Sequence, residues 1–332
     1  MYKKSIYTFL FFLVLKCLYK SYIIEGENNI YENGKGELSM SKTHSETILV
    51  IDSGCDLPLE YIEQDNIVPL GLICNFKGES IEDDFGKEFI RKDFYDALRG
   101  GEMPTTSQIN SQRYVEVFEK YAKEKKSIIY IAMSSALTGT INSANIARET
   151  ILEEFPGADI SIVDSKCASL GQGLLVYYAY EMLKQGNSKL EIVEWLEKNK
   201  LKINHWFTVN DLNHLKRGGR ISSSAAAVGT LLNIKPVLFV DNEGRLTPFS
   251  KCRGRKKAIS TLAEKFKERT DPNKEQIVAI GHGDCIEDAL ALEELIREHG
   301  NVKDVILNYV GTAIGSHTGP EILGLYFIAE KR

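Results

Sequence analysis

The six cysteines, Cys17, Cys55, Cys74, Cys167, Cys252 and Cys285, contain no C-x-x-C pair. That excludes a zinc ribbon and gives no sign of a disulfide framework. Dispersed thiols fit a reducing cytoplasm, which is the expected location. Positive charge is not in excess: 41 Lys and Arg stand against 46 Asp and Glu, a net charge of −5. Such a chain is not drawn wholesale to nucleic acid or anionic lipid. No long hydrophobic run is present. The apolar stretch Ile6–Leu15 is broken by Lys16 and falls short of the roughly 20 residues of a spanning helix, so stable membrane insertion is not expected. The familiar chemical signatures are missing as well. There is no G-x-x-x-x-G-K-[ST], no G-x-S-x-G and no H-E-x-x-H, and Gly171-Gln-Gly173 is not extended to G-x-G-x-x-G. His205, His214, His282 and His299 stand alone. No metal and no cofactor is expected.

What is present is a soluble globular balance, 43% apolar and 26% charged over 332 residues, enough for about two domains. The first residues differ from the rest. Tyr2-Lys3-Lys4 and the short apolar run have the look of a signal peptide without an A-x-A-like cleavage site. Glu25 to Ser39 is polar and patternless. Lys35-Gly36-Glu37 corresponds to a purine-rich codon run just upstream of Met40. Residues 1–39 are therefore expected to be translated leader with the true start at Met40; an export signal and a membrane anchor are the other readings.

From Thr47 strands and helices alternate. The β-branched runs Ile48–Ile51, Ile67–Cys74, Ile128–Met133 and Ile160–Val163 read as strands. The spacing of Phe89, Ile90, Phe94 and Leu98, and of Tyr114, Val115, Phe118 and Tyr121, predicts helices between them. This pattern predicts a doubly wound parallel-sheet α/β domain over 47–165, after a non-domain extension over 1–46. Residues 166–332 have a different rhythm. Helices are expected over Leu170–Lys184, Lys189–Asn199, Ser222–Leu232, 256–269 and 285–299. A hairpin is expected around Asp241–Gly244, and strands over 276–281, 304–310 and 322–328. This half reads as an α+β domain.

Hydroxyl-rich loops stand at strand ends. The strand Ile128–Met133 runs into Ser134-Ser135-Ala136-Leu137-Thr138-Gly139-Thr140, which opens a helix. Ligands of open α/β sheets bind at such carboxyl ends, and a helix start there favours an oxyanion. A simple N-cap would account for one hydroxyl. Pro104-Thr105-Thr106-Ser107-Gln108 precedes a helix and reads equally well as a cap. Gly315-Ser316-His317-Thr318-Gly319-Pro320 holds a histidine between hydroxyls.

These segments, with Asp52-Ser53-Gly54-Cys55-Asp56-Leu57, Leu215-Lys-Arg-Gly-Gly-Arg-Ile-Ser222 and Cys252-Arg-Gly-Arg-Lys-Lys-Ala258, resemble the DegV family in order from about Thr47 to Arg332. The resemblance is to FakB-like fatty-acid-binding proteins. It implies two domains with a ligand in a cleft and tunnel between or within them. It implies that Thr106, Ser135 and His317 bind the carboxylate of a long-chain fatty acid, with Ser134, Ala136, Thr138 and Ser107 supporting the head-group loop. It implies a non-enzymatic carrier that presents the acid to an ATP-dependent fatty acid kinase. The acyl phosphate then reaches an acyltransferase and phospholipid synthesis. Residues 1–39 fall outside the resemblance, in keeping with a leader. Two positions depart from the family pattern. Ile109 stands where proline is usual, and Glu321 where glycine is usual; if the latter position needs positive φ, Glu321 strains the turn.

The chemistry accords with that implication. A buried carboxylate needs several donors to offset desolvation. The tail gains about 0.8 kcal/mol per buried CH₂. Arg253 and Arg255, in the basic stretch Lys251–Lys257, are expected to dock an acidic partner. Two readings of other classes stay open. One is a lipid hydrolase or thioesterase with Ser135 as nucleophile, His317 as base and Asp52 or Glu321 as the orienting acid. The other is a DNA-binding regulator using Arg253–Lys257, against which the net charge weighs.

Overall fold

The computed structural model describes residues 46–222 and 233–332. The leader expected over 1–39 and, past Ser222, the helix expected over Ser222–Leu232 lie outside them. The first half runs β1 (Thr47–Asp52), α1 (Leu59–Ile62), β2 (Ile67–Leu70), β3 (Ile73–Phe76), β4 (Glu79–Glu82), α2 (Arg91–Arg99), β5 (Thr105–Ser107), α3 (Ser111–Lys123), β6 (Ser127–Ala132), α4 (Thr140–Glu154) and β7 (Ile160–Asp164). Four strands form a parallel sheet in the order β2-β1-β6-β7. Both β1 and β6 are buried along their whole length, which is why they read as unbroken apolar runs rather than alternating ones.

The run Ile67–Cys74 does not form one strand. It splits at Gly71-Leu72, where β2 joins the parallel sheet and β3 enters a small antiparallel sheet, β4-β3-β5. At Gly71 a Cβ would lie 2.3 Å from the Glu82 side chain and 2.6 Å from the Asp83 carbonyl, so only glycine lets the chain pass. This small sheet was not legible in the sequence, and it makes Thr106 part of a strand, not of a helix cap.

The second half runs α5 (Leu170–Lys184), α6 (Lys189–Asn199), β8 (Ile203–Thr208), α7 (Asn213–Arg217), β9 (Ile234–Val240), β10 (Leu246–Arg253), α8 (Arg255–Arg269), β11 (Gln276–His282), α9 (Ile286–His299), β12 (Val302–Tyr309), α10 (Thr312–Thr318) and β13 (Leu323–Ile328). Six strands form a mixed sheet, β10-β9-β8-β13-β11-β12. The fold is thus mixed α/β, with a parallel sheet in the first half and a mixed sheet in the second.

Helix α5 joins the two sheets. Its first turns are buried on every side, and it packs against β1 and β6 of one sheet and β8, β11 and β13 of the other. One apolar core accordingly runs from Ile51 and Ile131 through Leu174 and Leu175 to Ile203 and Ile277. Gly171 and Gly173 serve this packing. A Cβ on Gly171 would sit 2.0 Å from His205 Nε2, and one on Gly173 2.7 Å from the Cys55 carbonyl. Gly171 therefore serves a contact between helix and sheet, and Gly173 one between the helix and the turn after β1. No described helix is long and apolar enough to cross a membrane.

Candidate functional site

A cavity of about 240 Å³ lies at the carboxyl ends of β6 and β7 and is closed by the second sheet and by α10. Leu72, Met133, Leu137, Phe207, Leu215 and Leu246 line it with apolar surface. Thr106, Ser107, Gln108, Thr138, Arg220 and His317 are among its polar lining residues, as are Ser169, His205 and Tyr326.

Thr106 and His317 are partners. The Thr106 hydroxyl lies 2.7 Å from His317 Nε2. β5 supplies the first and the last turn of α10 the second. The stretch expected as a hydroxyl-rich loop is thus a short helix. Gly218 lies against the other edge of the imidazole, where a Cβ would be 2.2 Å from Nδ1. That nitrogen is buried and has no hydrogen-bond partner among the described residues. Burial, then the charges of Arg220 and Arg217, lower the His317 pKa to about 4, so the ring is neutral at pH 7. A neutral imidazole and a hydroxyl hold two polar hydrogens between them. One is used in their mutual bond; with the proton on Nε2, that nitrogen donates to Thr106 and the threonine hydroxyl hydrogen remains to be donated.

The sequence pattern holds Arg220 in Leu215–Ser222 and assigns it no role. Its Nε and Nη2 donate to the Leu137 carbonyl at 3.1 and 2.9 Å, and Nη1 donates to the Gly218 carbonyl. No carboxylate among the described residues pairs with it, and its pKa is lowered by burial alone. The guanidinium is fixed by carbonyls at the wall of an apolar cavity, with no described carboxylate to neutralise its charge. The signal available in the sequence was the Gly218-Gly219-Arg220 order, a tight turn delivering a cation.

Ser135 is not brought to this group. It is exposed and does not line the cavity. Its hydroxyl lies 2.5 Å from Asp164 Oδ2 and accepts from Lys166 Nζ at 3.0 Å. Asp164 also accepts from the Ser135 amide, and the lysine and serine contacts outweigh burial to lower its pKa. Ser134 is buried and donates to the Gly244 carbonyl at 2.9 Å, which docks the β9–β10 turn on this loop. The Ala136 amide bonds back to Ser134 Oγ, and Thr138 Oγ1 contacts Thr140 Oγ1. The expected head-group set is thus divided: Thr106, Ser107, Thr138 and His317 reach the cavity wall, while Ser134, Ser135 and Ala136 shape the loop behind it.

The nucleophile–base contact of a hydrolase is not made. Ser135 bonds Asp164 and Lys166, and His317 bonds Thr106. Asp52 serves neither. It is fully buried, accepts from Gly54 N, Tyr130 Oη, Met133 N and Gln172 Nε2, and has its pKa raised by burial. Through the Met133 amide it anchors the start of the hydroxyl-rich loop. Glu321 has φ +60°, the conformation that glycine would take without strain, and its amide donates to the Gly283 carbonyl. Ile109 is 3% exposed and packs in the core beside Tyr114 and Leu137.

The basic stretch is also divided. Arg255 Nε donates to Asp288 at 2.7 Å, an ion pair at the start of α8. Arg253, at the end of β10, is exposed.

The DegV family, described as "Uncharacterised protein, DegV family", matches residues 46–330. A DegV domain-containing protein of Clostridium perfringens is 50% identical over 285 residues, covering 86% of this chain and 98% of its own. The solved structure described as fatty acid binding of a DegV family protein from Thermus thermophilus is similar with a TM-score of 0.76 and 32% identity, over 86% of this chain and 99% of that one. The crystal structure of DegV, a fatty acid binding protein from Bacillus subtilis, is similar with a TM-score of 0.74 and 34% identity, over 86% and 100%.

Proposed function

Because this chain belongs to the DegV family, we propose that it binds one long-chain fatty acid in the cavity and carries it without chemical change. The tail lies along Leu72, Met133, Leu137, Phe207, Leu215 and Leu246, and the carboxylate meets Arg220, Thr106 and His317. The observation that carries this reading is the guanidinium of Arg220, without a carboxylate partner among the described residues, at the wall of an apolar cavity that Thr106 and His317 also line. An apolar pocket with a few convergent polar groups is the ordinary form of a small-molecule site. A charged head group in it requires charge-assisted donors, and a guanidinium with a hydroxyl and an imidazole provides them.

The two halves, 47–165 and 166–332, are the lobes around this site. In the finer reading the chain is FakB-like, bacterial and cytoplasmic. It presents the carboxylate to an ATP-dependent fatty acid kinase, and the acyl phosphate passes to an acyltransferase of phospholipid synthesis. Arg253 is the docking cation, because Arg255 already pairs with Asp288.

Mass spectrometry of lipid extracted from the purified protein tests the binding. One fatty acid per chain is expected. No recovered lipid, and no uptake of added fatty acid after delipidation, would refute it. Incubation with kinase, ATP and loaded protein tests the transfer, with acyl phosphate as the expected product.

A further inference from the structure

His317 sits on a helix with little reason to form by itself. α10 has seven residues, four of them Gly315 and the hydroxyl-bearing Thr312, Ser316 and Thr318. Isolated helices this short are marginal, and such residues favour caps and turns. Two buried carboxylates outside the cavity hold its beginning. Asp83 is 3% exposed. Its Oδ2 accepts from Thr312 N at 3.1 Å, Thr312 Oγ1 at 2.7 Å and Ala313 N at 3.4 Å. Asp56 Oδ1 accepts from Gly311 N at 2.9 Å. The two acids press so close that a Cβ on Gly311 would lie 2.7 Å from Asp56 and 3.1 Å from Asp83. Arg91 pairs with Asp83 at 3.0 Å and balances the charge. At the far end the chain leaves through Gly319, with φ +76°, against the His214 ring.

The helix is therefore clamped at its first residues. A helix rises about 1.5 Å per residue as a rigid rod, so a displacement of the first turn reaches His317 in the last one. We propose that Asp83 is a positioning residue for carboxylate recognition: acting through Thr312, it sets the placement of α10 and with it the contact of His317 with Thr106. Asp83 does not line the cavity. The inference rests on the fatty-acid reading of that cavity.

The test is a double-mutant cycle in the full chain, with cis-parinaric acid, a fluorescent fatty acid, as the probe. Thr312→Val deletes the hydroxyl that meets Asp83 and keeps the shape, and Thr312→Ser restores it. Thr312→Val is expected to weaken binding about tenfold, Thr312→Ser to bind within about twofold of wild type, and Thr312→Val to have no further effect once His317→Ala is present. Ring NMR of His317, assigned by its loss in His317→Ala, is expected to titrate closer to the ordinary histidine range in Thr312→Val. Equal losses with and without His317 would overturn the proposal. So would a folded Thr312→Val with wild-type affinity and wild-type His317 titration. Should Thr312→Val fail to fold, Asp83→Glu, which keeps the charge but moves it by one methylene, is read in the same cycle with the same expected pattern. If wild type binds no fatty acid, the reading of the cavity fails, while the His317 titration still decides whether Asp83 and Thr312 position the ring.

Discussion

The imidazole of His317 and the hydroxyl of Thr106 meet at 2.7 Å although 211 residues separate them in the chain. One comes from a short helix pinned by buried acids, the other from the edge of a three-stranded sheet. Their meeting defines the polar corner of the cavity.

The first prediction separates the residues at this corner from the loop behind it. Thr106→Val and His317→Ala are each expected to weaken fatty acid binding by roughly 1–3 kcal/mol, since each breaks the contact that orients the remaining donor toward a buried carboxylate. Ser135→Ala is expected to cost far less, because its hydroxyl is already held by Asp164 and Lys166 at the surface. Titration calorimetry with a long-chain fatty acid checks this. A loss in Ser135→Ala as large as in the other two would return Ser135 to the head group.

Arg220 is predicted to read charge. Arg220→Met should weaken binding of the ionised acid by roughly 2 kcal/mol, the scale of a hydrogen bond to a charged group, and leave the methyl ester little changed. Competition between the acid and its ester on wild type and variant measures the preference directly. Parallel losses for both ligands would show that Arg220 acts on the fold alone.

The pH dependence of stability should carry two opposed contributions. His317 titrates at about 4 in the folded chain, against an ordinary value of about 6.5. The unfolded chain binds the extra proton between those values, so this contribution is lost as pH falls through that window, on the order of 3 kcal/mol in all. Asp56 behaves in the opposite way. Burial, against hydrogen bonding from Ser169, raises its pKa to about 7. The folded chain keeps a proton that the unfolded chain releases near pH 4, so stability falls as pH rises from about 4 to about 7. Denaturant unfolding from pH 4 to 8 is expected to show a weaker acid loss in His317→Gln and a weaker alkaline loss in Asp56→Asn. Variant curves parallel to wild type would refute both assignments.

The strain at Glu321 should be removable. A non-glycine residue at φ +60° in a turn held by the Gly283 carbonyl costs about 1–2 kcal/mol. Part of that is returned through the greater freedom of glycine in the unfolded chain. Glu321→Gly is therefore expected to raise stability by up to about 1 kcal/mol, seen as a higher urea midpoint at unchanged slope. An unchanged or lower midpoint would mean that the Glu321 side chain makes up for its backbone.

Much of this protein was determined locally, by period and by punctuation. The runs at β1 and β6 are continuous because both sheet faces are covered, and that is visible in any linear reading. Helices α5 and α6 begin and end where the sequence predicts, the second opened by the capping box of Ser188 and Glu191. The family resemblance indicated Thr106, Ser135 and His317 together, and did not separate the two that line the cavity from the one that does not. Tertiary structure decided the rest, because the deciding partners are distant in the chain. The split between β2 and β3 depends on Glu82 and Asp83 crowding Gly71. Helix α10 forms because Asp56 and Asp83 accept its first amides, which no property of residues 312–318 announces. Ser135 and Thr106 are both small hydroxyl residues, one in the loop after β6 and the other within β5. Asp164 and Lys166 hold the first at the surface, while β3 pairing and His317 hold the second at the cavity wall. A hydroxyl's role follows from which partner satisfies it, and folding brings that partner.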